Sequence, residues 1–140
     1  MQYLTDEDII AVYREAIGTP ELRYPAGVSS AAGRPQQTVF GEDAYPTIPL
    51  KAAALMHSLA ENQPFVDGNK RIAWICGKLF LQIHGYTMHA TDDEAVALFL
   101  KVAQGLQVAA LADWICRRIS PLLSDEETLS SEPDRNTAPS

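Results

Sequence analysis

Residues 72–83 of this 140-residue chain, IAWICGKLFLQI, are apolar almost all the way round a helix. A surface helix keeps a polar face, so a helix that is apolar on nearly every side belongs in a protein interior. Gly85 follows this stretch as a natural helix terminator. The sequence therefore predicts a central buried helix from about Gly68 to His84, which the rest of the chain must cover.

Helix signals also dominate elsewhere in the chain. Thr5 with Asp8, and Thr91 with Glu94, have the three-residue spacing of capping pairs. Pro49 suits the first turn of a further helix, because its missing N–H would have no partner there. The predicted helices run over residues 5–17, 49–62, 68–84, 91–103 and 108–119.

The stretch between residues 18 and 49 has no continuous periodic pattern. Prolines and glycines interrupt it every few residues, which predicts a long loop region with space for a short helix or a hairpin. Loops of this length in a compact domain tend to be functional or mobile. No alternation strong enough for a sheet appears, so the predicted fold class is all-α: a compact helical bundle with an irregular region before its second helix.

Charge and cysteine content narrow the classes of function. The chain has 18 acidic and 11 basic residues, so its net charge of -7 does not draw it as a whole to nucleic acid or to an anionic membrane. No apolar stretch approaches the ~18 residues that a membrane span needs. Cys76 and Cys116 have no partners at metal-ligand spacing, which favours reduced core thiols in a cytoplasmic protein. Because the net charge is negative, any phosphate site must depend on a local group of basic residues.

The composition changes after residue 120. Residues 121–140 are rich in Ser, Glu, Asp, Pro and Thr, with five acidic residues and one basic residue. Such a segment has too little apolar surface to form a core. The sequence predicts one domain over residues 1–120 and an acidic, disordered tail over residues 121–140.

The run Gln63–Arg71, QPFVDGNKR, is a polar loop between two apolar helices. At a helix start, free N–H groups of Gly68, Asn69 and Lys70 can cradle an anion, and Lys70 and Arg71 add full positive charge. Asp67 is a hard oxygen ligand suited to Mg²⁺. The bland alternatives are ordinary turn chemistry for Asp-Gly-Asn, a helix cap for Asp67 and a solvated edge for the two cations. The residue types alone leave both interpretations open.

The same run resembles the signature HPFxDGNKR of the Fic/Doc (Fido) family, and specifically its Doc branch, the death-on-curing toxins of toxin–antitoxin pairs. The segments YLTDEDIIAVY, FGEDAYP, KAAALMHSLAEN and HGYTMHATDDEAV resemble Doc-type toxins in the same order. The resemblance covers roughly residues 1–120. It implies a compact all-α enzyme that binds ATP and Mg²⁺ and modifies a hydroxyl of a target protein.

Mapped onto this chain, the resemblance implies a role for each loop residue. Asp67 would be the magnesium ligand, Gly68 and Asn69 the phosphate cradle, and Lys70 and Arg71 the charge clamp. In the Doc branch the γ-phosphate is transferred, and the target of the family is elongation factor Tu. The second signature arginine of Fic proteins, which transfer AMP instead, is replaced here by Trp74.

Position 63 departs from the signature. The family has a histidine there as general base, whereas this chain has Gln63, whose amide cannot take up a proton near neutral pH. Losing a positioned base typically costs ~10²–10⁴-fold in rate. His57 lies six residues upstream, about 240° away round the helix, and does not replace it. Three explanations stay open: a weak or inactive natural variant, a deliberate substitution in a toxic protein, or altered chemistry. The alternative from another class of function is a catalytically silent module that binds nucleotide or antitoxin.

Regulation is expected to come from a separate partner. The inhibitory pattern [ST]xxxE[GN] of some Fic proteins fails here, because His57 lies four residues before Glu61. The resemblance therefore implies a Phd-like antitoxin whose C-terminal segment folds on binding near the ATP cleft, with the acidic tail a weaker candidate for that cleft. By position, residues 36–48 resemble the flap that aligns the target peptide.

Overall fold

The computed structural model describes residues 1–122 of the protein. Within them, six α-helices form the body, joined by one turn of 3-10 helix and two short antiparallel strand pairs. The predicted acidic tail lies outside the described residues, apart from Pro121 and Leu122. The elements are α1 Asp6–Ala16, α2 Pro25–Gly33, the 3-10 turn Arg34–Gln36, β1 Thr38–Val39, β2 Glu42–Asp43, α3 Ile48–Asn62, α4 Asn69–Ile83, β3 Tyr86–Met88, α5 Asp92–Ala103, α6 Val108–Cys116 and β4 Ile119–Pro121.

Both predicted capping pairs are formed. The Thr5 hydroxyl accepts the Asp8 N–H at 3.1 Å, and the Asp8 carboxylate accepts the Thr5 N–H at 2.9 Å. The reciprocal bonds between Thr91 and Glu94 measure 3.1 and 2.8 Å. Each pair satisfies two N–H groups that a helix start leaves without partners. Helices α1 and α5 therefore begin where the sequence predicted.

The centre of the bundle is the pair α3 and α4. Helix α4 buries the face that includes Ile72, Trp74 and Phe80, but Ile75 and Leu79 are only half-buried and Ile83 is exposed, so the helix is not buried on nearly every side as predicted. Helix α3 is also buried along most of its length, and it packs against α2, α5 and α6 as well as α4. A Cβ placed on Gly77 would lie 2.3 Å from the sulfur of Met56, so α4 approaches α3 closely at this glycine and a larger residue would force the Met56 side chain to shift. The polar loop of residues 63–68 connects these two helices.

The interrupted stretch before α3, predicted as a loop region with space for a short helix or a hairpin, holds both, namely α2 and the β1–β2 pair. The structure differs from the sequence-based expectation at the other end of the domain. The last helix, predicted to reach Ile119, ends at Cys116, and residues 119–121 instead pair with residues 86–88. Strands of two or three residues are too short to show an alternating pattern, so strands β3 and β4 were not predicted.

The β1–β2 hairpin is fastened to the first half of α3. The buried Lys51 ammonium donates to Pro35 O and to Asp43 Oδ2, each at 3.3 Å. Arg34 donates to the Tyr45 hydroxyl at 2.9 Å just after the hairpin. Side chains of α3 and of the 3-10 turn therefore hold the predicted flap, residues 36–48, against the bundle.

Two further expectations concern cysteines and membranes. Cys76 is buried as predicted, and burial raises the pKa of its thiol to about 12. Cys116 is exposed at the end of α6 and is not the core thiol that the sequence predicted. Among residues 1–122, no helix is both long and apolar enough to span a membrane.

Candidate active site

The loop between α3 and α4 is anchored by Phe65. Its ring is fully buried and stacks on Tyr13 of α1, with centroids 4.2 Å apart and planes 11° from parallel. The Tyr13 hydroxyl donates to Asp67 O at 2.9 Å. Gln63 ends α3 in the left-handed region, at φ 46° and ψ 57°, which turns the chain away from the helix axis. One buried ring and one hydroxyl therefore hold a loop that also contains the exposed side chains of Gln63, Val66 and Asp67.

Asn69 stabilises the loop through its side chain. Its Oδ1 accepts the Phe65 N–H and its Nδ2 donates to Phe65 O, both at 2.9 Å. The sequence left two roles open for this amide, phosphate contact or loop support, and in the structure it supports the loop. The oxygen and one N–H of the Asn69 amide are therefore used within the loop, which leaves its backbone N–H and the second Nδ2 hydrogen as donors.

The start of α4 is open. Gly68 is its N-cap at φ 79°, and no side chain caps the helix. The Gly68 N–H donates to Asp67 Oδ1 at 2.9 Å, and the first helical bond runs from Ile72 N to Gly68 O. The amides of residues 69–71 consequently have no acceptor inside the helix. Of the three N–H groups predicted to cradle an anion, that of Gly68 is bound to Asp67, whereas those of Asn69 and Lys70 have no acceptor in the helix.

The predicted site residues lie together around one open cavity of about 550 Å³. Three cations and one carboxylate line it, so the local charge is positive in a chain whose net charge is -7. This charge, beside the positive end of the α4 dipole, suits an anion. The lining residues are Arg23, Ala60, Gln63, Val66, Asp67, Gly68, Asn69, Lys70 and Arg71.

Sequence reasoning missed Arg23. This residue lies between α1 and α2, and its Nη2 donates to both the backbone oxygen and Oε1 of Gln63, each at 3.2 Å. The contact joins residues 40 positions apart, across a stretch that prolines and glycines interrupt. No local signal marks such a pair, because only the tertiary fold brings it together.

Asp67 is the carboxylate available for a metal at this cavity. Its side chain is exposed, and one oxygen binds Gly68 while the other has no hydrogen bond within the described residues. Residues 1–122 contain no group of three or more His, Cys, Asp or Glu side chains placed to hold a metal ion. Magnesium commonly uses one or two carboxylates together with substrate phosphates and water. The donor set fits Mg²⁺ that arrives with a nucleotide.

None of the three histidines lines the cavity. His57, as expected, does not replace the base: its Nδ1 lies 3.1 Å from Arg34 Nη1, on the hairpin side of α3. Burial first, and then the Arg34 charge, lower the pKa of His57. His84 Nε2 lies 2.7 Å from Gln2 O, and His89 Nε2 lies 2.6 Å from Ser120 Oγ. The cavity therefore has no imidazole base.

A second groove of about 580 Å³ adjoins the cavity between α4 and α5. Lys70 and Arg71 line both, and Trp74 forms part of the groove where Fic proteins would have their second arginine. The Lys78 ammonium lies 5.3 Å from the centre of the Trp74 ring. The groove combines three cations and the Asp92 carboxylate with an apolar wall that includes the exposed side chains of Val96 and Leu100.

Comparison with known proteins agrees with this geometry. The profile of the Fic/DOC family matches residues 3–81, more than half of the chain, and includes the whole loop. The chain belongs to the Fic/DOC family. It is also similar to Toxin Doc of Mycolicibacterium smegmatis, with 44% identity over 93 residues, which cover 66% of this chain and 72% of that protein. The helical Fic/DOC fold predicted from the sequence is confirmed by the match and by the six helices of residues 1–122.

Proposed function

We propose that this chain is the toxin of a toxin–antitoxin pair and a Doc-type phosphotransferase. Its reaction would move the γ-phosphate of ATP to a hydroxyl of elongation factor Tu and so arrest translation. The observation that carries the proposal is the uncapped start of α4, with Lys70 and Arg71 beside Asp67 in one cavity. The similarity to Toxin Doc of Mycolicibacterium smegmatis supports the toxin role.

The open helix start is suited to the phosphates of ATP. The free amides of residues 69–71 can donate to phosphate oxygens, and Lys70 and Arg71 can neutralise their charge. Asp67 would hold Mg²⁺, which when bound offsets charge that develops on the phosphates. Phe65, Tyr13 and the Asn69 side chain keep the loop in place without using these donors.

Gln63 limits the reaction. The target oxygen must form a bond to the γ-phosphorus while the bond from that phosphorus to the β,γ-bridging oxygen breaks, and ADP leaves. The hydroxyl proton needs an acceptor, which an amide does not provide. Water or a phosphoryl oxygen must take it instead, and positioning and charge stabilisation can still support the loose transition state. We therefore propose a rate ~10²–10⁴-fold below that of the histidine form.

A silent binding module is the second candidate, and one specific observation favours it. Arg23 occupies Oε1 of Gln63, so the residue at the base position is bound within the protein. Such a chain would keep its nucleotide or antitoxin interface without turnover. Transfer of AMP is less favoured, because Trp74 replaces the second arginine of AMP-transferring proteins.

The test is label transfer into a bacterial lysate with Mg²⁺ and ATP labelled at the α- or the γ-phosphate. The chain is compared with its Gln63→His variant, and Asp67→Ala in the variant background is the matched inactive control. Transfer of γ-label to a band at the mass of elongation factor Tu supports the proposal, and a strong gain in the variant identifies Gln63 as disabling. Transfer of α-label indicates an AMP transferase. Folded protein that transfers neither label favours the silent module.

The partner proposal is a Phd-like antitoxin. The groove between α4 and α5 has Lys70, Arg71 and Lys78 along an apolar wall, a surface complementary to an acidic amphipathic segment. A segment bound there would also contact the two cations of the phosphate site. Co-expression with the antitoxin gene from the same operon, followed by size-exclusion chromatography, tests the pair. Co-elution that Val96→Glu abolishes supports the groove, and co-elution that persists places the interface elsewhere.

A further inference from the structure

Arg23 is held at the cavity by its own backbone as well as by its side chain. The N–H groups of Arg23 and Tyr24 donate to Pro64 O at 2.8 and 3.0 Å. Leu22 forms a bridge with Phe65, and the Val66 N–H donates to Glu21 O at 2.9 Å. The backbone of the segment before α2 is thus bound to residues 64–66 of the signature loop. An arginine with this many local constraints keeps its guanidinium close to the cavity.

Gln63 orients that guanidinium. Arginine has only donors, so the amide atom that faces it must be the oxygen, and the two 3.2 Å contacts both come from Nη2. Within the described residues, the other guanidinium nitrogens of Arg23 have no hydrogen bond. The N–H groups that they carry are free for an acceptor in the cavity. Nε2 of Gln63 is likewise left as a donor.

We propose that Arg23 is a third phosphate-binding cation of this site, which the α1–α2 segment supplies and Gln63 positions. This inference rests on the proposed function, because its ligand is the phosphate chain of a nucleoside polyphosphate. Arginine binds phosphate through paired N–H groups that its planar fork presents together. Arg23, Lys70 and Arg71 surround one cavity, and they come from both sides of the loop. The signature residues alone would leave the Gln63 side of the cavity without a cation.

A purely structural role for Arg23 makes a different prediction. Its bond to Gln63 O lies at the C-terminal end of α3, where a cation stabilises the helix dipole and satisfies a free carbonyl. If that were its whole role, removing Arg23 would lower the stability of the protein and leave phosphate affinity unchanged. The two roles are therefore separated by measuring both quantities on the same variants.

The experiment is isothermal titration calorimetry of the full chain with Mg·ATP and with inorganic tripolyphosphate, which lacks the nucleoside. Arg23→Gln is expected to weaken both ligands by the same factor, about tenfold, as loss of one charge-assisted bond predicts. Arg23→Lys should recover part of that affinity. The matched control is Arg14→Gln on α1, which removes the same charge outside the cavity and should stay within twofold of the parent.

Thermal unfolding of each variant is recorded alongside the titrations. Unchanged affinity in Arg23→Gln with a lowered Tm would overturn the inference and leave Arg23 as a helix cap. If Arg23→Gln does not fold, Arg23→Lys decides: affinity equal to that of the parent for both ligands, with a lowered Tm, overturns the proposal. A parent chain that binds neither ligand overturns the proposed function and this inference together. Binding to the parent that is indifferent to Arg23 overturns only the inference.

Discussion

The phenol ring of Tyr13 lies flat against the ring of Phe65, with 4.2 Å between centroids, while the Tyr13 hydroxyl reaches past it to Asp67 O. One side chain of α1 therefore holds the signature loop in two ways, by ring contact and by a hydrogen bond. The match to the family profile begins at residue 3, so it includes α1, the helix that supports this loop.

Separate variants measure the two contacts. Tyr13→Phe keeps the ring stack and removes only the bond to Asp67 O, so we expect the free energy of unfolding to fall by about 1 kcal/mol. Phe65→Ala removes a fully buried ring and is expected to cost about 3–5 kcal/mol. Urea denaturation at one pH checks both. Equal losses for the two variants would contradict the view that the ring contact dominates.

Asn69→Ala tests whether the side chain supports the loop rather than a ligand. Two hydrogen bonds to Phe65 are lost, so we expect about 2 kcal/mol less stability. Phosphate affinity should also fall, because the amides of residues 69–71 are no longer held in place. Gln107→Ala, which removes one amide bond to Gly105 O at the start of α6, is the control. It should lower stability slightly and leave the affinity for Mg·ATP unchanged.

Local signals explain what could be predicted from the sequence. The capping pairs at Thr5 and Thr91, Pro49 in the first turn of α3 and the loop before α4 each depend on residues a few positions apart. Such signals act within one turn of a helix, whatever the rest of the chain does. The residues of the loop cavity were predicted for the same reason, since they are nearly consecutive.

The elements that were missed depend on contacts that are distant in sequence. Strand β4 exists because residues 119–121 meet residues 86–88, which ended α6 earlier than its periodicity suggested. Helix α2 was allowed as a short helix but not located, because it is rich in small residues and its Val28 and Ala31 are buried only by elements distant in sequence. The contact between Arg23 and Gln63 likewise joins residues that are distant in sequence. The resemblance to the family signature identified position 63 itself, but it could not identify Arg23 as the partner of that residue.

The substitution Gly77→Ala has two effects of opposite sign on the stability of the protein. Alanine usually stabilises a helix interior by about 0.5–1 kcal/mol relative to glycine. Here the added Cβ would meet Met56 at 2.3 Å, and overpacking typically costs ~1–3 kcal/mol. We expect a net loss of stability in thermal unfolding, and the loss caused by Gly77→Ala should be smaller when it is introduced into a Met56→Ala background and compared with Met56→Ala alone. Gly33→Ala is the matched control, because nothing lies near its Cβ position, and it should be neutral or stabilising.

The stability of the protein should depend on pH through His57. Arg34 can only donate, so Nδ1 of His57 accepts its bond and the folded protein favours the neutral ring. Burial and the Arg34 charge lower the folded pKa below the ordinary value of 6.5, whereas Glu61 and a backbone bond to Leu106 oppose this change. The unfolded chain therefore binds more protons below that value, and stability must fall as pH drops through it.

Urea denaturation between pH 8 and pH 5 measures this dependence. The free energy of unfolding of the parent chain is expected to be level above about pH 7 and to decline below pH 6.5, until the folded ring also takes up its proton. His57→Gln removes the titrating group and should flatten that part of the curve. His89→Gln, which changes a histidine beside Ser120 at the opposite strand pair, should retain the slope of the parent. A parent curve as flat as that of His57→Gln would show that the ring is not held neutral against Arg34.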